Sequence, residues 1–200
     1  MWMDLVARVK GLILKPKDEW ETIKGESLPI STLFTSYAVL LAAIPSVCQF
    51  IGLSLIGRNI PWRGLTRYGF GRTLFYSIFL YALSLVSVYV LGIIINALAP
   101  TFSSKQNQEN AMKIAVFSMT PAWISGIFYL IPFLGWLAVF GSLYGIYLFY
   151  LGFTSSLMET PTDKVIGYVV VSIVVAVILM AIVWAVLGAV FLVGTVGRLY

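Results

Sequence analysis

The sequence has no histidine, a single cysteine and little charge, since only 10% of its 200 residues are Asp, Glu, Lys or Arg. The absence of histidine excludes Ser-His-Asp and Cys-His catalytic sites and the HExxH metal motif. Because Cys48 is alone, the chain has neither a disulfide framework nor a cysteine-based metal cluster. We therefore expect no catalytic residues, no metal and no cofactor, and predict that the protein is not an enzyme.

Hydrophobic residues, in contrast, make up 60% of the chain. Soluble domains are roughly half apolar and a quarter charged, so water cannot be the main solvent of this protein. Its net charge of +5 is a modest excess, and it forms no basic stripe interleaved with aromatic residues of the kind that binds nucleic acid. The composition predicts an all-α polytopic membrane protein without a nucleic-acid partner.

Runs without charged residues locate the membrane spans, because a bilayer core of about 30 Å needs about 20 apolar residues in a helix. The runs 27–57, 73–104 and 165–197 each suffice for one span, and the longer run 114–158 suffices for two, divided at Pro132 and Gly135. We expect a single domain over 1–200, with five transmembrane helices at about 32–57, 73–98, 112–131, 134–157 and 165–196.

The segment before the first span, 1–26, has the pattern of two amphipathic helices. The first has one apolar stripe, made by Trp2, Leu5, Val6, Val9, Leu12 and Ile13, and an opposite polar face, made by Asp4, Arg8, Gly11 and Lys15. Pro16 suits the first turn of a second helix and Gly25 its end. This pattern favours helices that lie in the headgroup plane. The alternative is that both helices only pack on the bundle.

Counts of basic residues predict the orientation, because Lys and Arg are retained on the cytoplasmic side of a membrane. With five spans, eight basic residues fall on the side of the N-terminus and five on the other side. The N-terminus is therefore predicted to be cytoplasmic. All eight acidic residues also fall on that side, which leaves it with no net charge, but carboxylates contribute little to orientation.

Few polar residues lie within the predicted spans, and none of those is expected to be ionisable. Gln49, Asn96 and Ser118 are candidates for a polar path, although such residues more often hydrogen-bond between helices. The polar stretch before the third span is expected to be a loop, with Ser103 and Gln106 forming a capping box at the helix start. The absence of buried charge lowers the expectation of an ion-coupled transporter.

Two sets of small residues at four-residue spacing predict close helix packing. The first is Gly141 with Gly145 in the fourth span, and the second is Ala181, Ala185 and Ala189 in the fifth. Small residues one turn apart let two helix backbones approach closely in lipid. The contact is either between helices of one chain or between two copies in a homodimer.

The loop between the first two spans is rich in arginine and has no acidic residue. It contains Arg58, Arg63, Arg67 and Arg72, together with Trp62 and Tyr68. The guanidinium fork matches phosphate oxygens in pairs, and Trp and Tyr favour the headgroup layer. The loop is predicted to bind anionic lipid headgroups on the outer surface. The alternative is that its arginines only fix the depth of the spans.

Four stretches, in this order, resemble the bacterial branch of the Yip (Ypt/Rab-interacting protein) domain family. They are "ILKPKDEW", "ALAPTF", "TPAWISGIFYLIPFLGW" and "YLGFTSSLMETPTDKVIGYVVV". The resemblance implies five transmembrane helices, a cytoplasmic N-terminus and a place in the bacterial inner (plasma) membrane. Eukaryotic relatives contact small GTPases, but the segment before the first span is too short for their cytosolic region. GTPase binding is therefore not expected.

These observations favour a non-enzymatic integral membrane protein that organises lipids or partner proteins. Its expected partners are membrane lipids, further copies of itself or other membrane proteins. One alternative is a passive pore or small-solute transporter, which needs a water-accessible polar path. A second is a membrane-embedded lipid-modifying enzyme, whose acid and base groups would have to be exposed carboxylates such as Glu159 and Asp163.

Overall fold

The computed structural model describes residues 4–60 and 64–196. Within these ranges the structure describes positions 58–60, 65, 180, 183–184 and 186–196 by their backbone only. Helix dominates the described residues, and four helical segments are long and apolar enough to cross a membrane. The prediction of an all-α polytopic membrane protein is confirmed.

Two short helices precede the bundle, α1 (Leu5–Leu14) and α2 (Pro16–Gly25). The Asp4 carboxylate begins α1 by accepting hydrogen bonds from the backbone N–H groups of Val6 and Ala7, at 3.1 and 3.2 Å. Pro16 occupies the first turn of α2, where its missing N–H is not needed. One side chain of α1, Leu12, and two of α2, Trp20 and Ile23, lie in the core.

The four long helical segments are Ile30–Ile56, Phe70–Phe102, Gln108–Leu130 and Pro132–Thr154. The first is α3 (Ile30–Leu33), a π-helical turn (Phe34–Ala38), α4 (Val39–Ile51) and a second π-helical turn (Gly52–Ile56). The second is α5 (Phe70–Leu98), ending in a 3-10 turn (Ala99–Phe102). A fifth helix, α9 (Val165–Val196), has an apolar portion over Val165–Leu179.

The third and fourth segments form a hairpin that turns at Ile131. The third consists of α6 (Gln108–Ser118), α7 (Thr120–Ser125) and a 3-10 turn (Gly126–Leu130). The fourth consists of a 3-10 turn (Pro132–Leu137) and α8 (Ala138–Thr154). Pro121 lies in the first turn of α7, so the helix is interrupted where a proline prevents the regular hydrogen-bond ladder.

The third segment is the centre of the molecule. In its most apolar window 67% of the residues are buried, against 17% to 22% in the other three segments. An unbroken run of α6, from Ala111 to Ser118, is buried. The surrounding helices instead expose large apolar side chains, such as Phe75 and Val139. The bundle therefore has one protein-covered helix and an apolar outer surface suited to lipid.

Two local expectations were wrong. The cap of α6 is Asn107, whose side-chain oxygen accepts from the Asn110 N–H at 3.0 Å. Ser103 instead adopts a left-handed conformation after the preceding 3-10 turn, so no Ser103–Gln106 capping box forms. The arginine-rich loop also contains a short antiparallel hairpin, β1 (Arg58–Ile60) with β2 (Gly64–Thr66), where a loop was expected.

Candidate functional site

A buried group of charges joins the N-terminal helices to the central helix. Arg8 of α1 is only 6% exposed, and its guanidinium donates to Glu19 Oε1 at 2.5 Å. The same guanidinium donates to both carboxylate oxygens of Glu26, at 2.5 and 2.6 Å. One arginine therefore connects α1 to α2 and to the residue that ends α2. We call Arg8, Glu19, Glu26 and Lys113 the ion cluster.

Lys113 is the member of the ion cluster supplied by α6, and it is 2% exposed. Its ammonium donates to the backbone carbonyls of Ile23 and Glu26, at 3.4 and 2.5 Å, and to Asn110 Oδ1 at 3.2 Å. An ammonium has three donors, and all three are used. Because the last carbonyls of a helix carry a partial negative charge, Lys113 stabilises the end of α2 against the central helix.

Aromatic rings surround the ion cluster. The Arg8 guanidinium lies over the Phe117 ring, 5.6 Å from its centroid. The Trp20 and Tyr37 rings contact Phe117 edge to face, with centroids 6.3 and 5.0 Å away. The Tyr37 hydroxyl also makes a hydrogen bond of 2.7 Å with the Thr120 hydroxyl. The cluster is thus shielded from water on its inner side and held to both halves of the central segment.

The position of Arg8 corrects the helical-wheel expectation for α1. Arg8 was expected on the outer polar face, but it points into the bundle, and Gly11 lies directly against the Glu19 side chain. Part of the expected apolar stripe points outward instead: Val6 is 56% exposed and Ile13 is 37% exposed, beside Leu14 at 74%. The α1 helix therefore packs on the bundle and also presents an apolar outer face.

Lys113 corrects a second expectation, that no ionisable side chain lies within the spans. It belongs to the segment Gln108–Leu130 and is buried. The sequence did contain a signal for it, because a lone lysine between Met112 and Ile114 is costly in an apolar run unless it is paired. One partner, Asn110, lies three residues earlier on the same helix, but the other two are the backbone carbonyls of Ile23 and Glu26, which no side-chain pattern could identify.

At the same end of the bundle as the ion cluster, the loop before α6 contacts the loop between α8 and α9. The Lys105 ammonium lies 3.1 Å from Glu159 Oε1, and the Ser104 hydroxyl donates to the Thr160 hydroxyl at 2.9 Å. The Lys105–Glu159 pair is exposed, so Glu159 makes a surface ion pair. Among the residues that the structure describes, no three His, Cys, Asp or Glu side chains are grouped to hold a metal ion.

The arginine-rich segment lies at the opposite end of the bundle. Arg58 is in β1, Arg67 follows β2 and is exposed, and Arg72 is exposed in the first turn of α5. Arg63 lies outside the described residues. The backbone N–H of Tyr68 donates to the Leu53 carbonyl at 3.2 Å, which ties the end of the hairpin to the end of the first span.

An apolar cavity of about 660 Å³ lies beside this hairpin. Its walls include Gln49, Leu53, Ile56, Tyr129, Pro132 and Trp136, which come from the end of the first span and the turn between the third and fourth. Close packing shapes it, since the Tyr129 carbonyl approaches Gly52 so closely that a Cβ there has no room. We call this space the outer cavity.

The three residues proposed for a polar path, Gln49, Asn96 and Ser118, do not lie together in the structure. Gln49 lines the outer cavity and hydrogen-bonds with the Tyr76 hydroxyl. The carbonyl of Asn96 accepts from the Gln106 side chain at 3.3 Å, at the end that holds the ion cluster. Ser118 is buried inside the bundle. The three side chains are therefore distributed over different levels of the molecule.

The small residues divide into two cases. Gly141 faces Ser125 and the Pro121 carbonyl, and a Cβ at Gly145 would lie 2.9 Å from the Ser118 carbonyl, so both face the central segment of the same chain. Ala181 and Ala185 are exposed on α9, and Ala189 is among the positions considered by backbone alone. A homodimer contact through the alanines stays a prediction.

Comparison with known proteins agrees with this architecture. The family model of the Yip1 domain matches residues 10–195. The inner membrane protein YohC of Escherichia coli K12 is 31% identical over 155 residues, which cover 76% of this chain and 80% of that protein. The same protein of Escherichia coli O6:H1 matches equally well. No solved structure matches the chain. With nearly its whole length matched, this multi-pass membrane protein belongs to the Yip1 domain family.

Proposed function

We propose that this protein is a non-enzymatic component of the bacterial inner membrane that organises lipids at the cytoplasmic surface through α1 and α2. The observation that carries the proposal is the ion cluster, which fixes these helices on the bundle with one apolar face turned outward. A non-enzymatic role is supported by the absence of histidine from the sequence. It is also supported by the placement of Glu159 in an exposed ion pair.

The outer face of the N-terminal helices combines apolar and basic side chains. Val6, Ile13 and Leu14 are exposed on α1, and Lys10, Lys15, Lys17 and Lys24 are exposed around them. Full burial of a leucine side chain gains about 1.5–3 kcal/mol, and each lysine near an anionic surface adds about 1 kcal/mol. This face favours insertion into the headgroup layer of an anionic leaflet.

The ion cluster gives α1 and α2 a fixed attachment that an isolated amphipathic helix lacks. A free helix leaves the membrane when it loses affinity. Here Arg8 attaches α1 to α2, the Tyr144 hydroxyl of α8 donates to the Ile13 carbonyl at 2.9 Å, and Lys113 attaches the end of α2 to the central helix. The two helices are therefore held at one depth and one angle. We propose that this fixed wedge orders the surrounding lipids, and that the same face serves any partner protein that binds at the surface.

Spin labels test the placement of α1. In a Cys48→Ser background, a single cysteine is introduced at Leu14 or, as the control, at Glu21, and the labelled proteins are reconstituted into phosphatidylethanolamine/phosphatidylglycerol vesicles. The label at position 14 is expected to collide with oxygen and to be protected from a water-soluble nickel chelate, and the label at 21 to behave oppositely. Equal access of the nickel chelate to both labels would contradict the proposal.

The pore alternative makes a different prediction for the same vesicles. An organising protein leaves a trapped small solute in place, whereas a passive pore releases it. Cysteine accessibility along the first three spans provides a second test, because continuous labelling through the middle of any span requires a water-filled path. Retained solute together with an unlabelled midplane is the expected result.

A further inference from the structure

The outer cavity has the dimensions and the chemistry of a ligand site. Its volume of about 660 Å³ falls within the range of about 300–1,000 Å³ that is typical of small-molecule sites. Most of its lining side chains are aliphatic or aromatic, and the Gln49 amide, the Tyr129 hydroxyl and the Trp136 indole N–H belong to its polar lining residues. Such a lining favours a hydrocarbon chain over a polar solute, because a polar group without a partner is costly to bury.

The position of the cavity relative to the spans supports the same ligand. Ile56 ends the first long apolar segment, and Pro132 begins the fourth, so the mouth lies at the level where these helices leave the membrane. Gln49 lies seven residues before Ile56, which at about 1.5 Å per residue places it roughly 10 Å deeper. The space therefore runs from the headgroup level into the depth of the acyl chains.

Arginines lie beside this mouth. One contact joins their segment to the cavity wall directly: the Tyr68 N–H donates to the Leu53 carbonyl at 3.2 Å. The Phe70 ring also lies 5.2 Å from the ring of Phe50, which is the residue after the cavity residue Gln49. Arg67 and Arg72 are exposed within this segment. The sequence from Ser27 to Gln108 contains no Asp or Glu, so the charge of this stretch is purely basic.

Aromatic side chains complete the rim. Trp136 lines the cavity and is 60% exposed, and the neighbouring Phe133 is 83% exposed. Large aromatic side chains with this exposure suit the headgroup layer, where one part of the ring is in contact with lipid. An apolar slot, an aromatic rim and guanidinium groups at its mouth match the three parts of one molecule: acyl chain, glycerol backbone and phosphate.

We infer that the outer cavity binds one acyl chain of an anionic glycerophospholipid, whose phosphate is held by Arg67 and Arg72. This inference deepens the proposed lipid-organising function by assigning a specific lipid class to the end of the bundle opposite the N-terminal helices. It differs from simple attraction of anionic lipids to a basic loop, because it requires the acyl chain to occupy the space between Leu53 and Trp136.

Photo-crosslinking in vesicles tests the site. The full chain is reconstituted with phosphatidylglycerol carrying a diazirine on one acyl chain, or with phosphatidylcholine carrying the same chain, and the labelled residues are located by mass spectrometry. Phosphatidylglycerol is expected to label cavity residues such as Leu53 and Trp136 at least fivefold more than phosphatidylcholine does. Both lipids should label the outward-facing Phe75 and Ile78 of α5 equally.

Two matched pairs of variants assign the contacts. Leu53→Trp fills the cavity, and Leu55→Trp adds the same side chain at a position that is 62% exposed. Only Leu53→Trp should abolish labelling of Trp136. Arg67→Gln with Arg72→Gln removes two charges at the mouth, and Lys15→Gln with Lys17→Gln removes two at the opposite end. Only the arginine pair should lower cavity labelling, by about fivefold per charge.

Equal labelling of the cavity by the two lipids would overturn the inference, as would cavity labelling that survives Leu53→Trp. If Leu53→Trp does not fold, the labelling pattern of the unaltered chain decides alone, because even labelling of cavity and outer face is the pattern of unspecific lipid. The spin-label test of α1 addresses the other end of the bundle. Failure of one proposal is therefore distinguishable from failure of the other.

Discussion

The two ends of the bundle use charge in opposite ways. At the N-terminal end Arg8 and Lys113 are almost completely buried and bonded to carboxylates and carbonyls of the same chain. At the other end Arg67 and Arg72 are exposed, and all eight acidic residues of the sequence lie outside the segment that holds them. Charge at the first end holds helices together, whereas the charge of Arg67 and Arg72 at the second end lies on the surface.

The two ends also differ in how tightly their elements are held in place. A buried ion pair tolerates little displacement, because each charge left without its partner costs several kcal/mol. The N-terminal end is therefore a rigid platform for α1 and α2. The opposite end is formed by a short hairpin, a π-helical turn and two 3-10 turns around the outer cavity, and it leaves a space of about 660 Å³ open.

The largest expected effect comes from removing the arginine of the ion cluster. Arg8→Met leaves Glu19 and Glu26 close together without their shared cation. Breaking a fully buried pair costs about 3–5 kcal/mol, and because these carboxylates are 19% and 33% exposed, we expect a loss at the lower end of that range. We expect α1 to loosen from α2 while the spans stay folded and Lys113 still holds the end of α2. Trypsin cleavage after Lys10, within α1, should become rapid, and the free energy of unfolding in detergent should fall.

The control for that prediction is the triple variant Arg8→Met, Glu19→Gln, Glu26→Gln. It removes all three side-chain charges that meet at Arg8, so no uncompensated carboxylate remains at that point, and stability should return in large part. Slow cleavage of Arg8→Met itself, as in the unaltered chain, would show that the ion cluster does not hold the platform.

Much of this first end was not predictable from the sequence, for a physical reason. Helical periodicity identifies the two faces of α1, but it does not say which face another helix covers, so Arg8 was placed outside. Lys113 was noticed only as the boundary of a charge-free run. Its partners outside α6 are the carbonyls of Ile23 and Glu26, and backbone groups leave no pattern in a sequence.

The spans were predictable because lipid imposes a length and an apolar composition on every helix that crosses it. The outer cavity was not, since it depends on how closely Tyr129 approaches Gly52 and on the turn at Ile131. The arginine segment was recognised by composition alone. Its connection to the cavity became visible only through the contact between Tyr68 and Leu53.

The second prediction concerns the lysine of the same cluster. Lys113→Met keeps the length of the side chain but removes the donors to the Ile23 and Glu26 carbonyls. The acceptors that lose the ammonium are neutral, so no uncompensated charge is left behind, and the loss of stability should be smaller than that of Arg8→Met. Denaturant unfolding in detergent measures both. A larger loss for Lys113→Met would reverse the assigned order within the cluster.

A third prediction tests the close packing between the two ends. Gly141→Ala places a methyl group against the Pro121 carbonyl, 2.5 Å away in the unaltered geometry, and overpacking of this kind costs about 1–3 kcal/mol. Gly71→Ala is the control, because a Cβ there meets nothing within 4 Å. If thermal unfolding of the two variants is the same, the contact of α8 with the central segment is looser than described.

The fourth prediction has the smallest effect and separates burial from location. Lys105 and Glu159 lie at the N-terminal end, like the ion cluster, but their side chains are 66% and 65% exposed. Exposed ion pairs contribute about 0–1 kcal/mol, because water screens them and two long side chains lose freedom. Lys105→Gln should therefore change the free energy of unfolding by less than about 0.5 kcal/mol, as should Arg67→Gln at the opposite end.

A double-mutant cycle with Glu159→Gln measures the coupling energy of the Lys105–Glu159 pair directly. A coupling energy as large as that between Arg8 and Glu26 would mean that location at this end, rather than burial, gives its charges their strength.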